Sequence, residues 1–428
     1  MLLDKTLTYV SLFSGAGVGC YGLLEEGFEC VATNEILEKR LNIQRINRKC
    51  KLDESYISGD IKKPETKEKI LKQIGFYSKK FGNDRVDLVI ATPPCQGMSV
   101  ANHKKKNDEI KRNSLVVESI DLIKQIKPRF FILENVPSFY KTGCIDKNDN
   151  LLEIGSMIEQ NLSGDYMLYD EVINFKNFGA NSSRTRTLVI GVCKEFKDFI
   201  SALEFFPDFK QEKTLKEVIG SLKPLAWGEY DSTDFYHSFR TYPKHMQEWI
   251  KDLKEGQSAF ENVQDAISDL AYLCSNEGAF ESDYLNPIQS SYQALMRKDS
   301  PKLYNHQATN HSQAALEKLK LINKEQGKEC LPKNLHGKQQ FKSTWGRLNW
   351  NKISPTIDTR FDTPSNGTNS HPELHRSITP REAARIQSFS DNYIFYGNKT
   401  SVCKQIGNAV PPLLALALGK AILKNLRK

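Results

Sequence analysis

Cys95 follows two prolines in the stretch "DLVIATPPCQGMSVANHKKK" (87–106), at the end of an apolar run with strand character. Pro93 and Pro94 restrict the backbone and hold the thiol in place. Lys104, Lys105, Lys106, Lys111 and Arg112 come next, and nearby cations favour thiolate, the nucleophilic form. Glu134 ends a second apolar run, "FFILENV". A cysteine beside a carboxylic acid suits covalent attack on a ring that must be protonated as it is attacked. Arg184 and Arg186 stand two apart in "NFGANSSRTRTLVIGV". That spacing puts both guanidinium groups on one face of a strand, where they suit a phosphate or a carbonyl acceptor. Each motif also has a plainer reading: a reduced core thiol, a solvated strand edge or a solvated charge run.

A second group of residues points to a bound nucleoside. "SLFSGAGVGCYGL" follows a strand and opens a helix, with Gly15, Gly17 and Gly19 allowing close backbone approach at the helix N-terminus. Glu35 ends the next strand, where a carboxylate can accept ribose hydroxyls. The dinucleotide fingerprint G-x-G-x-x-G requires a glycine where this chain has Cys20, so the loop fits a nucleoside cofactor better than a pyrophosphate. Alone, it reads equally as a tight strand-to-helix turn. Asp60 in "SGDI" (58–61) ends a third strand and is positioned to meet an adenine amino group.

The elements that must carry these groups alternate. Strands are expected at 8–13, 30–35, 86–91, 129–134, 169–175 and 187–192, with helical patterns between them. In "SLVVESIDLIKQI", Val116, Ile120, Ile123 and Ile126 recur at helical spacing. The pattern predicts an α/β fold with a doubly wound parallel sheet. Beyond residue 195 the alternation stops. "NHSQAALEKLKLINKEQG" (310–327) reads as one helix, and 358–377 reads as a loop rich in turn residues. The final "PPLLALALGKAILKNLRK" is an apolar helix that needs a core, and the first sheet is the obvious one. Two domains follow: 1–194 plus 403–428, and a smaller irregular one over 195–402.

Composition sets the remaining bounds. The chain has 428 residues, with 39% hydrophobic and 26% charged content, as in an ordinary soluble protein. No apolar stretch approaches the ~20 residues of a membrane span. The amino-terminal stretch lacks the pattern of a signal peptide, so a cytosolic protein with no membrane partner is expected. The net charge of +8 is compatible with a polyanionic partner. Nine cysteines are scattered singly with no C-x-x-C pair. His371 and His375 have H-x-x-x-H spacing, with His306 and His311 upstream, but Pro372 and the absence of a cysteine pair argue against a metal site.

The ordered set "FSGAGVG", "NE" (34–35), "GDI", "PPCQG", "ENV", "SSRTR", "RLNWNKISPTIDTR" (347–360) and "QIGNAVPP" (405–412) spans residues 13–412. It resembles the DNA (cytosine-5)-methyltransferases of bacterial restriction-modification systems. The resemblance implies a doubly wound, Rossmann-like S-adenosylmethionine-dependent methyltransferase sheet with a target-recognition domain between "TLVIGV" and "RLNW". Phe13, Gly15, Gly17, Glu35, Ile36, Asp60, Ile61, Pro94, Leu115, Asn408 and Val410 would line the S-adenosyl-L-methionine site, leaving S-adenosyl-L-homocysteine as product. Cys95 would be the nucleophile at cytosine C6. Glu134 would contact N3 and the exocyclic amine, Arg186 the cytosine carbonyl, and Arg184 would lie towards the phosphates. Double-stranded DNA would be the substrate of a monomer, with a cognate restriction endonuclease acting separately. The chain departs from the family pattern at Asn181 and Ser182, where Pro and Gln are usual, and at Asn113-Ser114 in place of a pair containing Gly.

The same resemblance sets the expected chemistry. The cytosine must leave the duplex stack to be reached, and the lysines at 104–106 would close on the backbone phosphates. Two rivals share the scaffold: an RNA (transfer RNA) cytosine-5 methyltransferase, and a catalytically inactive DNA-binding protein. Aromatic and basic residues around 225–250 and 292–310 are the candidate readers of DNA sequence.

Overall fold

The computed structural model describes residues 6–94, 113–196, 205–206, 213–222, 224, 230–231, 234–238, 304–309, 311–322, 328–335 and 343–426. Cys95, the basic run through Arg112, and most of the candidate readers around 225–250 and 292–310 lie outside these. The chain forms two compact units, Met1–Glu212 with Asn408–Lys428, and Lys213–Gly407.

The first unit is built on a seven-stranded sheet. Its strands are β1 (Thr8–Leu12), β2 (Glu29–Glu35), β3 (Tyr56–Ser58), β4 (Leu88–Ala91), β5 (Phe130–Asn135), β8 (Tyr166–Asn174) and β9 (Thr185–Cys193), with a small hairpin of β6 (Gly143–Ile145) and β7 (Leu151–Glu153) beside it in sequence. The order across the sheet is β3-β2-β1-β4-β5-β9-β8. The first five strands are parallel. Their continuous apolar runs suit burial on both faces. The sequence predicts a doubly wound parallel sheet, and five strands obey it, but β9 pairs antiparallel with both β5 and β8. Only ten residues join β8 to β9, too few for the crossover a parallel pair requires.

Helices α1 (Tyr21–Glu25), α2 (Glu38–Ile46), α3 (Pro64–Phe81), α4 (Leu115–Ile126) and α5 (Ile154–Leu162) complete the layers. Val116, Ile120 and Ile123 of α4 are buried on one face of the sheet with Val89, Phe131 and Leu133. The other face carries Tyr9, Cys30, Leu88 and Ile132, packed with Leu414, Leu418 and Ile422 of the C-terminal helix Pro412–Leu426. The C-terminal helix thus packs on the sheet of the first unit. Gly22 is what lets α1 meet that helix: a Cβ there would stand 2.0 Å from the Pro412 carbonyl. Together, 399–426 form an apolar helical stretch long enough to cross a membrane, but 67% of the apolar window is buried within the protein.

The second unit is held by buried arginines. Arg376, Arg381 and Arg385 are each at most 1% exposed. Arg376 makes a two-point pair with Glu382 at 2.8 Å, and Arg385 pairs with Asp391 at 2.6 and 2.9 Å. Arg381 donates to the carbonyls of Tyr304, Ser390 and Tyr393. Glu382 also closes a capping box with Thr379 at the start of helix Pro380–Ile386. The helix expected over 310–327 runs only from Gln313 to Leu321. Ile322 turns extended and buries with Leu319, Leu331 and Trp345, while Arg347 takes the Leu319 and Ile322 carbonyls. Within 358–377, read from sequence as a loop, Thr368–Ser370 forms a short parallel ladder with Gly346–Arg347.

Candidate active site

The carboxyl ends of β3, β2, β1 and β4 lie side by side, and the strand order reverses direction between β1 and β4. That is the crevice where open α/β sheets bind ligands. Phe13, first residue past β1, takes a left-handed φ of 53°. This costs on the order of 1 kcal/mol or more for a non-glycine residue. Its carbonyl accepts a hydrogen bond from Thr92 Oγ1 at 3.2 Å, which ties the glycine loop to the segment leading to Cys95. Gly15 has φ of 55° with no heavy atom within 4 Å of a Cβ built there, so the loop backbone is open to a ligand. Gly17 has φ of 83°, and a Cβ would stand 2.7 Å from Gln44 Cγ.

Glu35 ends β2 with a buried carboxylate that accepts from Gly15 N at 2.9 Å, Leu37 N at 3.2 Å and Arg40 Nη1 at 3.2 Å. A carboxylate offers about four lone-pair sites, so one remains for a ligand hydroxyl. Beside it Ile36 is 59% exposed, an apolar platform a flat base can cover. Asp60 is half-buried past β3, its Oδ1 accepting from Lys62 N at 3.0 Å. Ile61 is buried next to it. Pro94 is exposed and Leu115 half-buried. Asn408 is exposed, and Val410 lies 3.3 Å from a Cβ built on Gly19. Open glycine backbone, an acidic acceptor, an apolar platform and a second carboxylate fit a nucleoside with a polar tail.

Glu134 and Arg186 meet at the next strands. β5 and β9 are in register with Glu134 opposite Leu188, and Arg186 Nε lies 3.3 Å from Glu134 Oε1. Burial raises the Glu134 carboxyl above its ordinary value, although the charges of Arg186 and Arg184 oppose it. The group therefore keeps its proton to higher pH than an exposed glutamate. Arg186 Nη1 is steadied by the Thr185 carbonyl at 2.7 Å. Arg184 is buried, and its carbonyl accepts from Phe175 N at 2.8 Å.

Two residues without an assigned role in the sequence reading bind the parts together. Asn135 Nδ2 donates to the Pro93 carbonyl at 2.9 Å, and its Oδ1 accepts from Val136 N at 2.9 Å. Thr187 Oγ1 donates to the Val136 and Pro137 carbonyls. The chain two residues before Cys95 is thus fixed to the strand that presents Glu134. Gln44 holds the glycine loop through Ser14 Oγ and the Gly15 carbonyl. A glutamine within α2 carries no sequence signal for that contact. Three of the four histidines weighed for metal make other bonds: His371 Nδ1 accepts from Glu373 N and Leu374 N, His311 Nε2 from Ser377 N, and His306 Nδ1 bonds Thr379. Among the described residues no cluster of ligands suits a metal.

The sheet is Rossmann-like, with the crevice at its topological switch point. The crystal structure of a protein described as a DNA modification methyltransferase encoded within an E. coli prophage superposes with a TM-score of 0.63 at 24% identity, covering 99% of this chain and 100% of that one. Residues 7–424 match the C-5 cytosine-specific DNA methylases, and the chain belongs to that family. It is 30% identical to the type II methyltransferase M.DdeI of Desulfomicrobium norvegicum, over 79% of this chain and 72% of the relative. It is 26% identical to M1.HphI of Haemophilus parahaemolyticus, over 99% and 88%. The protein is therefore a DNA (cytosine-5)-methyltransferase acting on DNA with a methyl donor.

Proposed function

We propose that the protein methylates C5 of a cytosine flipped out of a specific duplex sequence, through a covalent bond between Cys95 and C6. S-adenosylmethionine supplies the methyl group. The observation that carries the reading is the buried Glu134–Arg186 pair, one strand from the Pro93-Pro94 turn and tied to it by Asn135. Glu35, Ile36 and Asp60 hold the ribose and base of the donor, with the glycine loop against its polar tail. Cys95 thiolate adds to C6 while Glu134 donates to N3 and Arg186 holds the ring carbonyl. The electron pair displaced from the C5–C6 bond would build at C5, which would take the methyl carbon as that carbon's bond to the donor sulfur breaks and leaves a thioether. Loss of the C5 proton restores the double bond and expels Cys95. Extruding the base costs a few kcal/mol, which contacts in the site must offset.

The second unit carries sequence recognition in this reading. In this reading the chain is a cytosolic monomer that protects its own DNA from a separate endonuclease; the type II methyltransferases among its relatives support the methyltransferase part. Cys95→Ser should abolish methylation of duplex DNA while leaving S-adenosylmethionine binding intact in calorimetry; normal turnover by that variant would sink the covalent route. Glu35→Ala should weaken cofactor binding at least tenfold more than DNA binding, and equal losses would overturn the crevice assignment. Methyl incorporation into transfer RNA rather than duplex DNA would favour the RNA reading. Bisulfite sequencing of cells expressing the chain would read the target sequence.

A further inference from the structure

Beneath the glycine loop runs a line of buried hydrogen bonds that starts at an ammonium. Helix α2 ends in a Schellman turn, in which Lys49 N donates to the Gln44 carbonyl at 3.0 Å and Arg48 N to the Arg45 carbonyl at 2.9 Å. The left-handed position falls on Arg48, with φ of 50°. Lys49 follows it and is 3% exposed, its Nζ donating to Thr33 Oγ1 at 2.9 Å. Thr33, fully buried in β2, donates to Gln44 Oε1 at 2.8 Å. Gln44 is also fully buried, and its Nε2 donates to Ser14 Oγ at 2.8 Å and to the Gly15 carbonyl at 2.7 Å. Ser14 Oγ donates in turn to the Asn34 carbonyl at 3.0 Å.

Every step in this line has one direction. An ammonium only donates, so Thr33 Oγ1 must accept from it. A hydroxyl has one hydrogen, and that of Thr33 goes to Gln44 Oε1. The amide is thereby turned with Nε2 towards the loop, the orientation that the acceptor-only Gly15 carbonyl requires. A flipped amide would set Oε1 against that carbonyl and turn Nε2 on Thr33, whose hydrogen would lose its acceptor. The Lys49 stem also packs, since its Cδ stands 3.3 Å from a Cβ built on Gly17. A methionine would fill the same space without the cost of taking an ammonium out of water. What the ammonium adds is the hydrogen bond that starts the line.

We infer that Lys49 is a positioning residue for the cofactor, acting through Thr33 and Gln44 on the Ser14-Gly15 turn of the glycine loop. Gly15 is held at both its polar groups, the N–H by Glu35 Oε2 at 2.9 Å and the carbonyl by Gln44. The peptide planes on both sides of Gly15 are thus fixed. Gly15 has a left-handed φ of 55° and no side chain to limit its backbone, so these two bonds are what keep it from turning. A loop set before its ligand arrives lowers the ordering cost of binding. At 3% exposure Lys49 acts only through these partners. The inference deepens the S-adenosylmethionine reading of the loop and rests on it.

The test titrates variants of the full chain with S-adenosylmethionine in a calorimeter. Lys49→Met keeps the stem and removes the ammonium, and it should weaken binding at least tenfold. Thr33→Val should do the same, while Thr33→Ser, which keeps the hydroxyl, should bind within twofold of the parent. The chain carrying both Lys49→Met and Gln44→Met should bind no worse than Gln44→Met alone, because residues acting in one line are not additive. In methylation kinetics the loss should fall on KM for S-adenosylmethionine, with kcat and KM for duplex DNA each changed less than threefold. Hydrogen exchange over residues 13–20 should quicken in Lys49→Met and Thr33→Val but not in Thr33→Ser. Binding by Lys49→Met within twofold of the parent, or additive losses in the double variant, would overturn the relay. Equal losses for the Val and Ser variants would mean that Thr33 acts by packing, which also overturns it. Should Lys49→Met fail to fold, the Thr33 pair decides. A parent chain that binds no S-adenosylmethionine would instead overturn the cofactor reading. Exchange over 13–20 then decides the relay, and parent-like rates in Lys49→Met and Thr33→Val would end it.

Discussion

Glu134 stands where burial and two guanidinium groups pull its titration in opposite directions, and burial prevails. In the proposed mechanism the raised carboxyl keeps its proton to higher pH than an exposed glutamate, which favours donation to N3. Glu134→Gln should lower kcat by about 10²–10⁴-fold, the range for loss of a general acid, with duplex binding changed less than threefold. It should also flatten the alkaline limb of the rate against pH, since that limb reports the loss of the Glu134 proton. A variant retaining both rate and limb would remove Glu134 from the proton path. The residue type was legible because a carboxylate ending an apolar strand is unusual. Its pairing with Arg186 was not, since the two are 52 positions apart in sequence and meet only through strand register.

In the proposed function the glycine loop is the element on which the cofactor half depends. Gly17 combines a left-handed φ of 83° with a neighbour at 2.7 Å. That neighbour, Gln44, cannot swing aside without breaking its bonds to Ser14, Gly15 and Thr33. Gly17→Ala should cost about 1–3 kcal/mol of stability, seen as a lower urea midpoint, and weaken S-adenosylmethionine binding. Retention of both would mean that the loop relaxes freely. The elements themselves were largely readable: six expected strands appear within about three residues of their bounds. The antiparallel β9 and the early end of helix Gln313–Leu321 were not. The first follows from connection length, and the second from Arg347 and an apolar cluster competing with local helix propensity.

At the scale of the whole molecule, the second unit depends on ionised groups in a dry interior. The Glu382 carboxyl is buried, which raises it, yet the Arg376 charge and hydrogen bonds bring it well below the ordinary carboxylate range. A depressed carboxylate contributes stability above its unfolded value near 4.3 and loses it as pH falls towards the folded value. His311 and His371, pushed by burial to about 4 and about 3, act in the same direction. Below pH ~6.5 the unfolded chain takes up protons that the folded chain refuses. Glu382→Gln should cost about 3–5 kcal/mol at pH 7 by leaving Arg376 buried and unpaired. The gap from the parent should shrink at pH 3, where Glu382 is protonated in the unfolded parent but stays ionised in the folded one. Urea unfolding at both values measures it, and a gap undiminished by acid would show that the ion pair is not what stabilises this unit.

Sequence by itself singled out the candidate groups. A cysteine behind two prolines, an acid at a strand end, paired arginines and a glycine loop are residue types that few reactions need together. Local patterning also determined the strands, because a period of two or a continuous apolar run is written along the chain. Tertiary structure decided what touches what. It brought Asn135 to Pro93, Gln44 to the glycine loop and Lys49 to Thr33. Those contacts join positions far apart in sequence, and a polar side chain acquires such a partner only when packing has removed water from around it.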